Sequence, residues 1–521
     1  MGTAWFNEDP DIRTEFKNLN IITPHIEAAY FAKKVVTRQE NNELSVSFER
    51  IPRTFLGRDT YVIIKMANTS QVRNEVFKLS ILTENKNLTG TADQVLTLEE
   101  TDQSDGNAYS TRLSTDPEVL RNPTNPNSPV IASLYNNLDD FEDTLIYKIP
   151  LRPRDRATFD TWATNIYKNN LVHLQFRLES DAYMLHKKTE IAYSTLLAAK
   201  SLTFKPDTDT STSLTSHFTL QNSIVYEIYH PDNVFNPLGT HTHNGEVVNK
   251  RIGKVDNNEA TQATYIFHNL IDNEYEICTC DISKVRRRDD GEKVNPSSLE
   301  TNVPLGYAES RPAAGGDAMT NYYYNHNNES TIQANLQDYY YILTRDDPNG
   351  INKDYGIRRY KLLNPNNSND LVSLVRMPDD LNFDEAVGED RVYAAFTYRN
   401  TQRRFCHVDC FAGFIGVLIQ LHRDDIICTG MCFGDSTSYP SVTHPNGDSV
   451  DTTYLANLQR EQLKVNAFRD HYFTNILRGS ASWYPNLVGT RLSAGHNDHL
   501  HAGDFSSNSV VILNGEEQQD E

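Results

Sequence analysis

Three histidines late in the chain, His496, His499 and His501 in the run Gly495-His-Asn-Asp-His-Leu-His-Ala-Gly-Asp504, have side chains and spacing suited to metal chemistry. With 16 histidines in 521 residues, a His-x-x-His-x-His pattern is expected by chance about 0.015 times in such a chain. The isolated pair His241-Thr242-His243 is expected about 0.5 times, so it is read as a surface loop. Residues two apart in a strand point to one face, which projects His499 and His501 side by side, with His496 placed by the preceding turn. Two converging neutral imidazoles make half of a metal site. A hydrolytic zinc needs three protein ligands and one open position, so a further ligand must come from elsewhere. Upstream, His444 and Asp451 stand seven residues apart with Gly447 between them. Pro445, Asn446 and Gly447 make a turn and Ser449 to Tyr454 reads as a strand, a geometry that brings Asp451 back beside His444.

Taken together, the two pieces resemble the lysostaphin, D-Ala-D-Ala peptidase and hedgehog group of zinc metallopeptidases, whose signature is a His, an Asp several residues on, and a late His-x-His. The upstream spacing is similar to the D-Ala-D-Ala carboxypeptidase form, and the His-x-x-His-x-His ending is closer to the penicillin-insensitive murein endopeptidases. The chain departs from the carboxypeptidase pattern at Val442 and Ser449, and no Glu stands before His499. The resemblance covers Gly434 to Phe505. It implies His444, Asp451 and His501 as Zn2+ ligands, His499 as acid/base or transition-state stabiliser, and His496 in support. It further implies cleavage of amide bonds in the peptides of bacterial peptidoglycan, as a murein endopeptidase or carboxypeptidase. The chemistry is coherent: zinc lowers the pKa of bound water to about 7, and a flanking His of ordinary pKa near 6.5 passes a proton to the leaving amine. Asp498 and Asp504 are able to orient the His rings, but a turn cap and a solvated loop carboxylate are the readings placed first for them.

Charge and composition narrow the function classes. The 49 basic against 70 acidic residues give a net charge of -21, a field that repels phosphate backbones, so nucleic acid is not expected as a partner. No apolar run reaches 18 residues, Phe411 to Leu421 being the best, so no membrane span is expected. Met1 to Asp11 lacks a basic start followed by an apolar stretch, so no secretory signal is read there. The chain is expected to be made in the cytoplasm and to reach the periplasm or the outside by a non-classical route. An injected effector or phage-like lysis protein fits, with injection-apparatus components and an immunity protein as partners. Six cysteines are too few for a disulfide framework; the four at 406, 410, 428 and 432 are read as buried thiols ahead of a second zinc site. No Gly-x-Ser-x-Gly elbow occurs, which removes the commonest serine-hydrolase signature.

The elements that must position these residues suggest a multidomain chain, since 521 residues at about 150 per domain exceed a single small module. Residues 1–205 read as a β-sandwich-like domain, because Leu44–Arg50, Tyr61–Ala67, Glu75–Leu82, Leu145–Leu151 and Leu171–Glu179 are β-branched and aromatic with partial alternation. One helix, Ala157–Lys168, is expected to cap it. Residues 213–288 read as a small β module and 289–335 as linker and loop, the tyrosines at 322, 323 and 324 lying on an edge strand or offering aromatic platforms. Residues 336–521 read as an α+β zinc peptidase domain, with helices over Phe411–His422 and Thr453–Phe473 and a buried strand over Asp425–Phe433. The competing class is a structural or wall-binding component of an injection apparatus with a non-catalytic zinc domain.

Overall fold

The computed structural model describes residues 24–113, 118–121, 135–181, 201–204, 217–233, 235–243, 245–294, 308–312, 319–325, 339–344, 357–388, 390–399, 401, 403–438, 441 and 443–514. The Met1–Asp11 segment lies outside them. The chain is mostly β-sheet, arranged in several sheets and multiple domains. Helices of 13 or 14 residues run over Arg156–Asn169, Val408–Leu421 and Leu458–Asp470. Among the described residues no helix is long and apolar enough to cross a membrane.

Two sheets build the N-terminal region. In one, Leu44–Arg50, His25–Arg38, Asp59–Ala67 and Thr144–Pro150 lie in that order, all antiparallel. In the other, Arg53–Phe55, Phe218–Gln221, Val172–Ser180, Phe77–Thr83 and Tyr109–Thr111 follow one another. Val62, Ile64 and Tyr147 of the first sheet meet Leu79, Leu174 and Phe176 of the second in one buried cluster. Phe31 joins the two, stacked on Phe218 at 3.8 Å between centroids and edge-on to Phe176 at 5.3 Å. The helix Arg156–Asn169 starts where the Asp155 carboxylate accepts from Thr158 N, and it adds Phe159, Trp162, Ala163 and Ile166 to the same core. Strand His25–Arg38 escapes the alternation rule because its Ala28-Ala29 and Lys33-Lys34 pairs break the pattern and a bulge shifts the register between Ile26 and Ala28.

Strands Ile224–Tyr229, Gln262–His268 and Glu274–Arg286, expected within a module ending at 288, belong to a seven-stranded sheet. That sheet takes Leu371–Arg376 and Phe405–His407 on one side and Ile252–Val255 and Val511–Ile512 on the other. A second seven-stranded sheet runs Leu381–Val387, Asp390–Tyr398, Ile427–Gly430, Val450–Thr452, Leu500–Phe505, Phe473–Arg478, Arg491–Leu492. Between them lies Val408–Leu421, apolar nearly all round and therefore buried nearly all round. Its Phe411 and Phe414 share a core with Tyr226 and Tyr265 of one sheet and Val392 and Phe396 of the other.

The stretch 289–335, expected as linker and loop, contains Glu292–Val294, Ala308–Pro312 and Met319–Asn325, which join Tyr339–Thr344 and Ile357–Tyr360 in a five-stranded antiparallel sheet. Met319–Asn325 is an inner strand of it. This excursion leaves and returns at one point, where Arg288 pairs with Leu362. It is rooted on the loop that carries His444: Asn446 accepts from Arg288 N and donates to Arg288 O, and Tyr360 OH donates to Ser441 O. His241 and His243, expected in a loop, form strand Thr240–His243, paired with Glu246–Asn249. All six cysteines are free, and all but Cys278 are buried.

A buried ionic chain fastens the N-terminal sheets to the middle one. Lys34 Nζ lies 2.6 Å from Asp272, Arg58 Nε 2.9 Å from Glu227, and His268 Nε2 2.5 Å from Glu227. Asn273 donates to Val36 O and accepts from Val36 N beside them. Burial disfavours every charge here, but Arg58 and His268 outweigh it and hold the Glu227 carboxyl at about 2, while hydrogen bonds to Asp272 and Glu227 raise His268 to about 10. The Glu227 contribution is complete above its ordinary 4.5 and is lost as pH falls through about 2; the His268 contribution is complete below its ordinary 6.5 and is lost as pH rises through about 10. Thermal melts across pH should therefore show a plateau between about 4.5 and 6.5 with decline on both sides. His268→Gln should flatten the alkaline decline; an unchanged alkaline limb would show that His268 does not carry it.

Candidate metal centre

Val450–Thr452 runs antiparallel to Leu500–Phe505 with Asp451 directly opposite His501. Cross-strand neighbours share a face, so the carboxylate and the imidazole emerge together, Asp451 Oδ1 3.0 Å from His501 Nδ1. His444 arrives from the turn Pro445–Gly447, which holds Asn446 and Gly447 at positive φ of 65° and 77°. A Cβ on Gly447 would stand 2.5 Å from His407 N, so glycine alone fits there. Ser449 Oγ donates to Thr443 O at 2.7 Å and Cys406 Sγ to Gly447 O at 3.3 Å. So pinned, His444 Nε2 lies 3.0 Å from both Asp451 Oδ2 and His501 Nδ1.

His444, Asp451 and His501 are all buried, with their ligand atoms within 4.8 Å of one another. Among the described residues no other group of three or more His, Cys, Asp or Glu gathers in this way, the cysteines included. Burial drives His444 down to about 4. Burial also works against the Asp451 charge, but His444 and His499 hold its carboxyl well below the ordinary range. These are the deprotonated forms a cation needs. Three lone-pair groups converge where an imidazole N–H can serve only one contact well. His444 Nδ1 and His501 Nε2, on the far sides of the rings, have no hydrogen-bond partner. The donor set fits a divalent cation, which would satisfy all three groups at once.

His499, just outside the strand, turns its Nε2 to within 3.6 Å of Asp451 Oδ2, and its Nδ1 is held by Asp498 at 2.8 Å. Its pKa is raised: burial opposes the charge, but Asp451 and Asp498 prevail. The half-buried His496 packs against this group, its ring 4.8 Å from His499 and 5.7 Å from His501 between centroids, and burial together with His499 lowers its pKa. Asp498 thus orients His499, the second of the two roles weighed for it, whereas Asp504 is exposed and accepts from Thr474 through its backbone oxygen. All five residues singled out from the sequence meet in one place.

Four further residues had no signal in the spacing. Arg403 is buried, with Nη2 3.9 Å from Asp451 Oδ2 and Nη1 3.4 Å from Met431 O and Ser438 O. It occupies the space over Gly430, where a Cβ would lie 2.5 Å from Nη2. Below the site, Lys464 and Glu461 form a fully buried pair; Lys464 donates to Thr453 O, and Glu461 accepts from Leu455 N, which fixes the chain leaving Asp451. Gly503 backs His501: a Cβ there would lie 2.3 Å from His501 Nε2 and 2.9 Å from Ser449 Oγ. Gly503→Ala should swing that ring and weaken divalent-cation binding by about 10- to 100-fold, measured by competition with a chromogenic chelator. Undiminished affinity would show that the ring has room to give.

No family model, curated protein or solved structure matches this chain.

Proposed function

We propose that the chain is a zinc-dependent peptidase acting on the peptides of bacterial peptidoglycan, as the resemblance over Gly434 to Phe505 implies. The observation that carries this reading is the buried His444–Asp451–His501 group with His499 beside it at 3.6 Å from Asp451. Two imidazoles and one carboxylate leave a fourth position, the arrangement of a catalytic rather than a structural zinc site. Zinc held there would supply a water ionised near neutral pH and a Lewis acid for the scissile carbonyl. The protein's own part is to place groups around that centre. His499, held through Nδ1 by Asp498, presents Nε2 on the reacting side to give a proton to the leaving amine. Arg403 is a positioning residue that steadies the Asp451 carboxylate and adds positive charge behind it. His496 packs on His499 and limits its swing.

Delivery as an injected effector or lysis protein, with an immunity protein and apparatus components as partners, belongs to the same proposal. The test is mass spectrometry of soluble products from peptidoglycan sacculi, with chelator and with zinc added back. New peptide fragments that vanish with chelator support the reading and identify the bond. Bound zinc without fragments would overturn it in favour of a wall-binding component with a non-catalytic metal domain.

A further inference from the structure

Beside the metal group, the loop from Gly479 to Leu487 is fastened to the segment that carries His496. Asn497 Oδ1 accepts from Ser480 N at 2.8 Å and Ala481 N at 3.0 Å. Tyr454 OH donates to His496 O at 2.8 Å and accepts from Gly479 N at 2.9 Å. Gly479 packs so closely that a Cβ would stand 2.6 Å from His496 O. Arg478 closes the loop by donating to Gly479 O and Pro485 O. This clasp sets Tyr484 parallel to Tyr454, 3.7 Å between centroids and 12° between planes, with Trp483 edge-on to both at 4.9 and 6.2 Å. All three residues are half-buried, so a fixed aromatic group stands partly in solvent beside the metal group, one face of Tyr454 and one of Tyr484 being taken up by their stack.

We infer that Tyr454, Trp483 and Tyr484 form a sugar-binding subsite, which seats the glycan strand of the wall polymer while an attached peptide enters the metal group. The inference rests on the proposed substrate. Wall peptides are built of small, acidic and diamino residues and carry no ring, so the flat apolar feature of that polymer is the C–H face of its pyranoses. Rigid aromatic faces complement such a surface at low entropic cost. The Tyr454 hydroxyl is engaged by backbone on both sides and its ring backs Tyr484, so Tyr454 serves to fix the platform that Tyr484 and Trp483 offer. Tyr454 stands three positions after Asp451 and holds His496 directly, so a sugar seated here lies next to the reacting centre.

The test is calorimetric titration of the full chain with an N-acetylglucosamine tetramer and, separately, with a sugar-free stem peptide. His499→Gln is used alongside the native chain, so that binding is read without turnover. Saturable binding of the tetramer, weakened at least about tenfold by Trp483→Ala and by Tyr484→Ala, with metal content unchanged, is the expected result. Trp483→Phe keeps a ring and should recover most of the affinity, which separates a lost platform from a disturbed loop. No tetramer binding to the native chain, equal binding by Trp483→Ala, or dependence on Trp483 only for the sugar-free peptide would each overturn the subsite. Sugar binding without any cleavage of sacculi would overturn the peptidase reading and leave the subsite standing; cleavage without sugar binding would do the reverse.

Discussion

Replacing His501 by alanine should strip the protein of its metal: content should fall from about one zinc per chain to below about a tenth after gel filtration, and cleavage of wall peptides should fall at least about 1,000-fold. The reason lies in its central place. His501 Nδ1 is 3.0 Å from both His444 Nε2 and Asp451 Oδ1, and the side chain is fully buried. Without it two ligands remain, and the Asp451 carboxylate loses one of the groups that hold its charge in the interior. Asp451→Asn is the companion variant, because the amide keeps the shape and removes the anion. Plasma mass spectrometry of the metal, with circular dichroism to confirm the fold, reads both. Retention of metal by a folded His501→Ala protein would remove His501 from the ligand set.

His499→Gln should have the second largest effect, and of a different kind. Metal should stay at about one per chain while kcat falls by about 100- to 10,000-fold, the range that general acid–base groups supply. Glutamine keeps a polar side chain of similar reach but cannot carry the proton. His499 stands apart from the three buried groups, partly exposed and 3.6 Å from the nearest Asp451 oxygen, which separates loss of turnover from loss of metal. If His499→Gln loses metal as well, His499 is a ligand and the proton donor must be sought elsewhere, with His496 the next group in line at 4.8 Å between ring centroids.

The metal group was legible in the sequence because short-range rules carry it. His499 and His501 are two apart, and His444 and Asp451 flank a glycine turn, so local geometry alone brings each pair close. The step from two pairs to one site was implied by the family resemblance and not by the spacing, and the cross-strand register that makes it, Asp451 opposite His501, was legible in neither. Arg403 comes from 48 positions before Asp451 and reaches it only because its own loop packs over Gly430, so no local pattern marks it. Domain organisation was the least legible part. Strand pairing depends on tertiary neighbours, and nothing local in Leu371–Arg376 or Val511–Ile512 says that they share a sheet with Ile224–Tyr229. The apolar helix Val408–Leu421 was readable as a helix from its composition, but its place between two sheets was not.

That sheet of remote segments has a consequence for biosynthesis. Gly253 and Lys254 find their neighbours Val511 and Ile512 only after more than 250 further residues have been joined, and the last group of the metal set, His501, is made almost as late. While the first 443 residues are joined the growing polypeptide holds none of the three, and from residue 451 to residue 500 it holds His444 and Asp451 without their counterpart. The three-residue group is thus assembled only after His501 has been joined, so a nascent chain that stops short of it lacks the complete donor set.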